Sequence, residues 1–596
     1  MPGATKCSEN KKADSKIISN MFFKLLPVQI ILVAVTSLNS IIDSAMAGNL
    51  IGPQALTAIG FFWPVITFMN MVTAILSGGA TILCGKFMGK NQTERSKSVF
   101  TLDVLVVLSV SAILTLFSLL LPDILGYCLG ARGDIIRPVA DYLRGYALGY
   151  FPILMASQLS SFLQLERAER LTYVATAVMM ILNAFLDYYL VGVMGMGLFG
   201  LGLATTISSW VFFIIQAVYY FSPKAIIRFS LRSIVAADLK DILSIGFPEG
   251  LSQFCQMIRG LFLNYAILRY VGENGMSAYS AVMSVAGLYF AVIAGIGASS
   301  RVLISIYSGE EDRAGLVEVM KTALYKGMAL AAVVNLVFIL AAAPITCIFY
   351  PDRTTEVFDL ALWGFRLFPV SMVLACFRII FSNCFQCTGR VRFVSLLSIV
   401  DGVLGTVVTA AVLLPLMGGM GIWITQVVNG FYAIIMIIIH AWFINRKLAM
   451  DTESLMTLEK GMGVPKEDRL DVTVGSSGEI VNISEKIIKF CEQHHIDGRR
   501  AYFSGLCFEE MAGNIVEHGF ADRRKHSIDI RVVCKGEDEL LLRLRDDCRA
   551  FNPKEFSGLF ESEDITRNIG IRMVSKISKS MEYQNMLGLN VLTIRV

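Results

Sequence analysis

The run Leu182-Asn-Ala-Phe-Leu-Asp-Tyr-Tyr189 places an amide, Asn183, and a carboxylate, Asp187, inside a stretch that is otherwise apolar from 171 to 193. A second acid, Asp43, stands the same way in Ile42-Asp-Ser-Ala-Met-Ala-Gly48. An ionised carboxylate in hydrocarbon costs at least about 2.5–3.5 kcal/mol on insertion scales, so such acids normally face a bundle interior or a water-filled cavity. They are candidate cation or proton sites, and they point to a transporter. Around them, the chain of 596 residues is 55% hydrophobic and 17% charged, too sparsely charged for a soluble protein of this size. From Ile17 to about Asn445 apolar runs of roughly 20–30 residues recur, each able to cross a hydrocarbon core of about 30 Å. After Arg446 the chain turns polar. The pattern predicts an all-α polytopic membrane protein of about twelve spans followed by one soluble domain.

The connections give an orientation. Lys86, Lys90, Arg95 and Lys97 cluster in one, Lys224, Arg228, Arg232 and Lys240 in another, and Arg390 with Arg392 in a third, whereas 49–53, 193–197 and 417–421 carry no Lys or Arg. Basic loops stay cytoplasmic. Both termini are therefore expected in the cytoplasm of a prokaryote, with the spans in its plasma membrane among lipid. The first apolar run follows a polar tail and is too long for a signal-peptide core, so no cleavable signal is expected. The twelve cysteines are scattered as reduced, buried thiols would be, and Cys384 and Cys387 form the one C-x-x-C, without a second pair beside it. Gly52-Pro-Gln-Ala-Leu-Thr-Ala58 is echoed by Gly272-Glu-Asn-Gly-Met-Ser-Ala278, and a Gly-Met-Gly loop occurs at 195–197 and 419–421. Two six-helix lobes in parallel repeat follow, at 17–222 and 223–445, after a short tail at 1–16. Sites in such folds lie within or between the repeats.

Orientation gives depth. Asp43 and Asp187 both fall in the outer halves of outward-running spans, Asn183 lies one turn before Asp187 on the same face, and the Thr205–Thr206 pair returns to that level. Carboxylate, amide and hydroxyl oxygens suit a proton or a hard cation such as Na⁺. The alternative is hydrated, idle acids near the outer interface. In the second half, Arg259, Arg366, Arg378 and Asp401 lie within spans. Arg378 and Asp401 share a depth, which predicts a structural ion pair. The sharper alternative gives Arg259, Arg378 and Asp401 a role in holding an anionic or zwitterionic substrate.

Residues 17–445 resemble the multidrug and toxic compound extrusion (MATE) family. The resemblance rests on Ile42 to Gly48 with Gly52 to Gly60, and on Leu182 to Tyr189 with Gly195 to Thr205. It implies cation-coupled efflux through two six-helix lobes that rock between inward- and outward-facing states. It also implies that Asp43, Asn183 and Asp187, with Thr205, form the cation site, and that H⁺ or Na⁺ is the coupling ion.

Residues 446–469 read as a linker and 470–596 as one compact α/β sandwich. Strands are predicted near 471–474, 527–534, 539–546, 581–586 and 589–595, and helices near 480–494, 499–518 and 569–579. Glu510, Asn514 and His518 lie at four-residue spacing on one helix face. A Glu with an Asn one turn later can hold Mg²⁺ and orient water or a hydroxyl nucleophile; a solvated face is the plain alternative. With Arg545 to Pro553 and Asn568 to Met573, the order resembles the GHKL ATPase superfamily, in particular the anti-sigma-factor serine kinases. The resemblance implies Glu510 as catalytic base, Asn514 as Mg²⁺ ligand, Asp546 as the adenine-recognising acid and Gly570 in the phosphate loop, with Mg-ATP as ligand. The chain departs from the family at Cys548, Ala550 and Asn568, where glycine (or proline at 550) is usual. Glycine permits close backbone approach, so weak binding or a retired pocket is the alternative.

The expectation is a secondary-active antiporter of drugs or metabolites, with a cytoplasmic nucleotide-binding-like domain that answers to a regulatory protein; nucleic acid is not an expected partner. No Gly-x-x-x-x-Gly-Lys-Ser/Thr loop marks a primary pump. The rival readings are a membrane-anchored serine kinase whose spans sense a ligand, and a flippase for lipid intermediates.

Overall fold

The computed structural model describes residues 18–596 except 28–29, 36–37, 40–42, 44–45, 47–49, 52, 91, 130, 132, 167, 224, 448–450, 460–461, 466, 521–525, 536–538, 550–551, 554–568 and 587–588. Two compact units emerge, one of Ile18–Glu310 with Ala314–Leu458, the other centred on Glu459–Val596.

The first unit is helical. Among its elements are α1 (Ile18–Val35), α2 (Pro53–Gly89), α3 (Thr93–Leu120), α4 (Ile136–Tyr146), α5 (Tyr150–Leu165), α6 (Glu169–Val193), α7 (Gly197–Phe221), α8 (Ala236–Tyr270), α9 (Glu273–Gly309), α10 (Arg313–Leu340), α11 (Glu356–Cys387), α12 (Val391–Met417), α13 (Gly419–Asn445) and α14 (Thr452–Met456), with short helices at Pro122–Cys128 and Ala342–Phe349 between them. Among the described residues ten helices are long and apolar enough to cross a membrane, against the expected twelve. The shortfall has a physical cause. The fourth expected span is split into α4 and α5 by a tight turn at Ala147–Gly149, and α4 carries Arg137, Asp141 and Arg144. The seventh, α8, is continuous but carries Asp238, Lys240, Asp241, Glu249, Arg259 and Arg269. Two of these acids are neutralised inside the bundle, Asp238 by Arg95 and Glu249 by Arg301.

Among the described residues, wide π turns occur at Tyr188–Val193 in α6, Thr322–Gly327 in α10 and Val400–Leu404 in α12. Such turns often sit at functional positions. Here one begins immediately after Asp187 and another contains Asp401. The Gly-Met-Gly loop before α7 bends at Gly195 and Gly197, both with positive φ, whereas its counterpart before α13 bends at Gly418. The two loops match in sequence but not in which residue takes the left-handed turn.

At the end of the bundle that bears Lys86 and Lys90, the lobes meet backbone to backbone. A Cβ on Gly79 of α2 would collide with the Ile242 carbonyl of α8, one on Gly246 of α8 with the Ile75 carbonyl of α2, and one on Gly309 of α9 with the Lys86 carbonyl. Small residues allow this approach where lipid offers no hydrophobic drive for association. Arg95 of α3 adds an ion pair across the seam to the fully buried Asp238, which also accepts from Ser98 at 2.8 Å.

In the second unit β1 (Arg469–Val474), β2 (Ile528–Lys535), β3 (Glu539–Asp546), β4 (Ser580–Met586) and β5 (Leu589–Arg595) form an antiparallel sheet in the order β1-β2-β3-β5-β4. The register pairs Ile530 with Leu544 and Leu542 with Ile594. Alternation decides which face is covered: Leu540, Leu542 and Leu544 point inward while Arg543 and Arg545 take the other face. Helices α15 (Ile480–Gln493), α16 (Gly498–Gly519) and α17 (Ile569–Ile577) share one core with the sheet through Ile487, Phe508 and Val574. The expected elements are all present, and the unit is helices packed on a small antiparallel sheet.

Candidate functional site

Asp43 is helical beyond α1 and partly buried, and Asn39, one turn earlier on the same face, donates its amide to both Asp43 carboxylate oxygens at 3.5 and 3.3 Å. Across from it, Asp187 and Asn183 of α6 are essentially inaccessible to solvent. The Asp43 and Asp187 carboxylates are near enough to act on one another electrostatically. Both Asp187 oxygens and both polar atoms of Asn183 are buried without a hydrogen-bond partner. Native interiors rarely leave such groups unpaired, and each one left so costs about 1–3 kcal/mol. The donor set, two carboxylates and an amide oxygen, suits a proton or a hard cation. Thr205 is half-buried on α7 and its hydroxyl donates to the Leu201 carbonyl at 3.2 Å, while the neighbouring Thr206 donates to Gly145 at 2.9 Å. Either oxygen retains a lone pair, but neither proton is free.

The sequence reading missed the buried tyrosines near these acids. Tyr142 of α4 lies in the electrostatic field of both acids and Tyr146 in that of Asp43, and Phe62 of α2 packs edge-on against Tyr142 with ring centres 5.0 Å apart. Their four-residue spacing on α4 is the signal that could have found them. Asn39 was legible in the same way, as the polar residue one turn before Asp43.

In the second lobe Arg378 of α11 and Asp401 of α12 form an ion pair of 3.0 Å, both largely buried, and Asn429 of α13 donates to the Asp401 backbone carbonyl at 2.8 Å and to its carboxylate at 3.3 Å. Arg259 of α8 is half-buried, with its charge acting on Tyr279 of α9. No acid pairs with Arg259 among the described residues. Arg366 lies over the Trp363 ring at 5.6 Å.

In the second unit a cavity of about 370 Å³ opens between α16 and the sheet, lined by Asn514, His518, Asp546, Cys548, Tyr583 and Asn590 among others. Asp546 is buried; its Oδ1 accepts the Asn590 amide at 2.7 Å and the Cys548 backbone N–H at 3.0 Å. Burial raises its carboxyl above the ordinary value, against the pull of those two donors. A Cβ on Gly570 would collide with Glu510, so Glu510 and the start of α17 abut directly. Asn590 was not foreseen; a polar residue pointing inward from β5 was its signal. Ala550 and Asn568 lie outside the described residues.

The MatE family model matches this chain over 29–189 and 248–411, more than half its length and once in each lobe. The probable multidrug resistance protein YoeA of Bacillus subtilis (strain 168) is 24% identical over 389 residues, covering 61% of this chain and 81% of that protein. The multidrug export protein MepA of Staphylococcus aureus (strain MSSA476) is 21% identical over 70% of this chain and 92% of its own. Among solved structures, an outward-facing MATE transporter of the MOP superfamily has a TM-score of 0.64 at 24% identity, and a MATE bound to MaL6 has 0.65; each match covers 70% of this chain and 94% of the other. The family-model match falls within the helical unit.

Proposed function

Because the chain belongs to the MatE family of multi-pass membrane transporters, we propose that it exports small molecules in exchange for a cation taken up at Asp43, Asn183 and Asp187. The observation that carries this reading is the set of buried polar atoms on Asn183 and Asp187 that face no partner. A proton or Na⁺ there would satisfy the oxygens of that set, and the pocket then differs between loaded and empty states. A ligand shifts a conformational equilibrium only by its differential affinity for the two states. Cation and cargo must therefore favour opposite conformations. The names of the bacterial relatives support drugs as cargo. The basic loops support a cytoplasmic placement of the Lys86 end and of both termini, in which case the glycine seam closes the inner side. The test is dye efflux from cells expressing equal amounts of each variant. Asp43→Asn and Asp187→Asn should each cut export at least tenfold, and full export from both would sink the proposal. Export that persists without any cation gradient would instead favour the lipid flippase.

A second activity is suggested by the cavity of the C-terminal unit. Its volume falls in the range of ligand pockets, about 300–1,000 Å³, and Asn514 and Asp546 both line it. The residues fit Mg-ATP: the Asn514 amide oxygen would hold Mg²⁺, Asp546 would take the adenine amino group, Gly570 would let the phosphates approach, and Glu510 would serve as base. A bound nucleotide would supply a transferable phosphoryl group, making a regulatory serine kinase one outcome. The Cys548 thiol occupies space that a glycine would leave open, which favours weak binding. Calorimetry on the full chain with Mg-ATP, beside Asn514→Ala, decides the matter. Heat that the variant abolishes supports the site; none at millimolar ATP makes the unit a docking module for a regulatory protein.

A further inference from the structure

His526 stands two residues before β2, and Asp547 and Cys548 follow directly on β3. The two strands are antiparallel, and their register sets Ile528 opposite Asp546. Residues just before β2 therefore stand beside residues just after β3. The side chains meet as that placement requires. His526 Nδ1 lies 2.8 Å from Asp547 Oδ1. One donor atom from each of His526, Asp547 and Cys548 falls within 4.8 Å of the other two. Among the described residues no other group of histidine, cysteine and acid side chains gathers so closely.

The surroundings hold the three in place. A Cβ on Gly519, the last residue of α16, would lie 2.8 Å from Cys548 Sγ, so the thiol fills the space this glycine leaves. The Phe520 ring flanks His526, with centres 5.6 Å apart. The Cys548 N–H donates to Asp546 at 3.0 Å, and the Cys548 carbonyl accepts from Asn590 at 3.2 Å. The His526 side chain is nearly closed to solvent, and that of Asp547 is half open.

A His–Asp pair by itself is the plain alternative, and such pairs near a surface contribute little. It gives no part to the thiol. Imidazole, carboxylate and thiolate together make a donor set for Zn²⁺, whereas hard cations prefer oxygen alone. Zinc bonds of about 2.0–2.3 Å in a tetrahedron set donors roughly 3.3–3.8 Å apart. The His526–Asp547 contact has to open by about half an ångström, and the widest separation has to close by about one. Side-chain rotation covers both.

We propose that His526, Asp547 and Cys548 bind one Zn²⁺, with water in the fourth position on the open side of Asp547. The Cys548 proton passes to solvent as the zinc–sulfur bond forms, and the imidazole binds neutral. The metal ties the start of β2 to the end of β3 at the rim of the cavity that Cys548 lines. Cys548 thus becomes a ligand at a position where the resemblance expects glycine. The site does not depend on nucleotide binding.

The test uses the full chain in detergent, without a histidine tag and stripped of metal by a chelator. Co²⁺, titrated in as a coloured stand-in, should bind at one equivalent with a sulfur-to-cobalt charge-transfer band, and Zn²⁺ should displace it. Cys548→Gly should abolish the band. Asp547→Asn, at a half-open side chain, should weaken Co²⁺ binding at least tenfold while the metal-free protein melts as wild type does. His526→Ala should weaken binding likewise. A band that survives Cys548→Gly, an affinity unchanged in Asp547→Asn, or no saturable binding at micromolar Co²⁺ overturns the site.

Discussion

Asp187 buries a carboxyl group that no hydrogen-bond donor meets, a cost the fold bears for a ligand. Asp187→Asn should therefore stabilise the ligand-free protein, by about 1–3 kcal/mol, while abolishing coupled export; a fall in thermal unfolding temperature in detergent would contradict this. Asp546 offers a pH test. Its folded-state value lies above the ordinary one because of burial, so below neutrality the native state binds its proton before the unfolded chain does. Stability of the C-terminal unit should rise as pH falls through that raised value towards the ordinary carboxylate range. Asp546→Asn keeps an acceptor for Asn590 and should remove that rise, as followed by hydrogen exchange of α16 and β3. The pocket acids were legible because a lone acid in an apolar run is conspicuous. Asp103 of α3 also stands in an apolar run and is fully buried. Its isolation shows only when α5 and α7 are packed against α3.

At the scale of elements, the seam between α2 and α8 admits no Cβ. Gly246→Val should open the end bearing Lys86. Labelling of a cysteine introduced at Ser305, which faces Gly85, should rise at least tenfold over the same protein with glycine at 246. Unchanged labelling would mean the seam is not the barrier. In the second lobe, Arg378→Leu or Asp401→Leu alone leaves one largely buried charge unpaired, which costs about 3–5 kcal/mol when burial is complete. The double variant should melt closer to wild type than either single one does. Strands β1–β5 were legible from alternation with a period of two. The break between α4 and α5 was not, because Tyr146, Ala147 and Tyr150 continue an apolar run while the backbone tightens beneath it.

For the whole molecule, the two units carry separate cores, and the family likeness stops with the first. A chain ending at Leu458 should therefore insert and export dye at no less than half the full-length rate. Loss of export at normal expression would make the second unit part of the pumping cycle. The repeat was visible in sequence as paired glycine motifs, but the two lobes hold their charges differently. One leaves Asn183 and Asp187 without hydrogen-bond partners and the other closes Arg378 on Asp401. That asymmetry belongs to tertiary contacts among α6, α11, α12 and α13, which no local motif encodes. The bare-backbone seam, finally, bears on speed. Interlocked side chains must change rotamer before two helices can part, and that concerted repacking slows a transition. Carbonyls resting on glycines forfeit only dispersion, about 0.1–0.2 kcal/mol per atom pair, so the latch falls largely to Arg95 and Asp238. Turnover should then depend on ionic strength at that face more than on temperature-driven loosening of the helices.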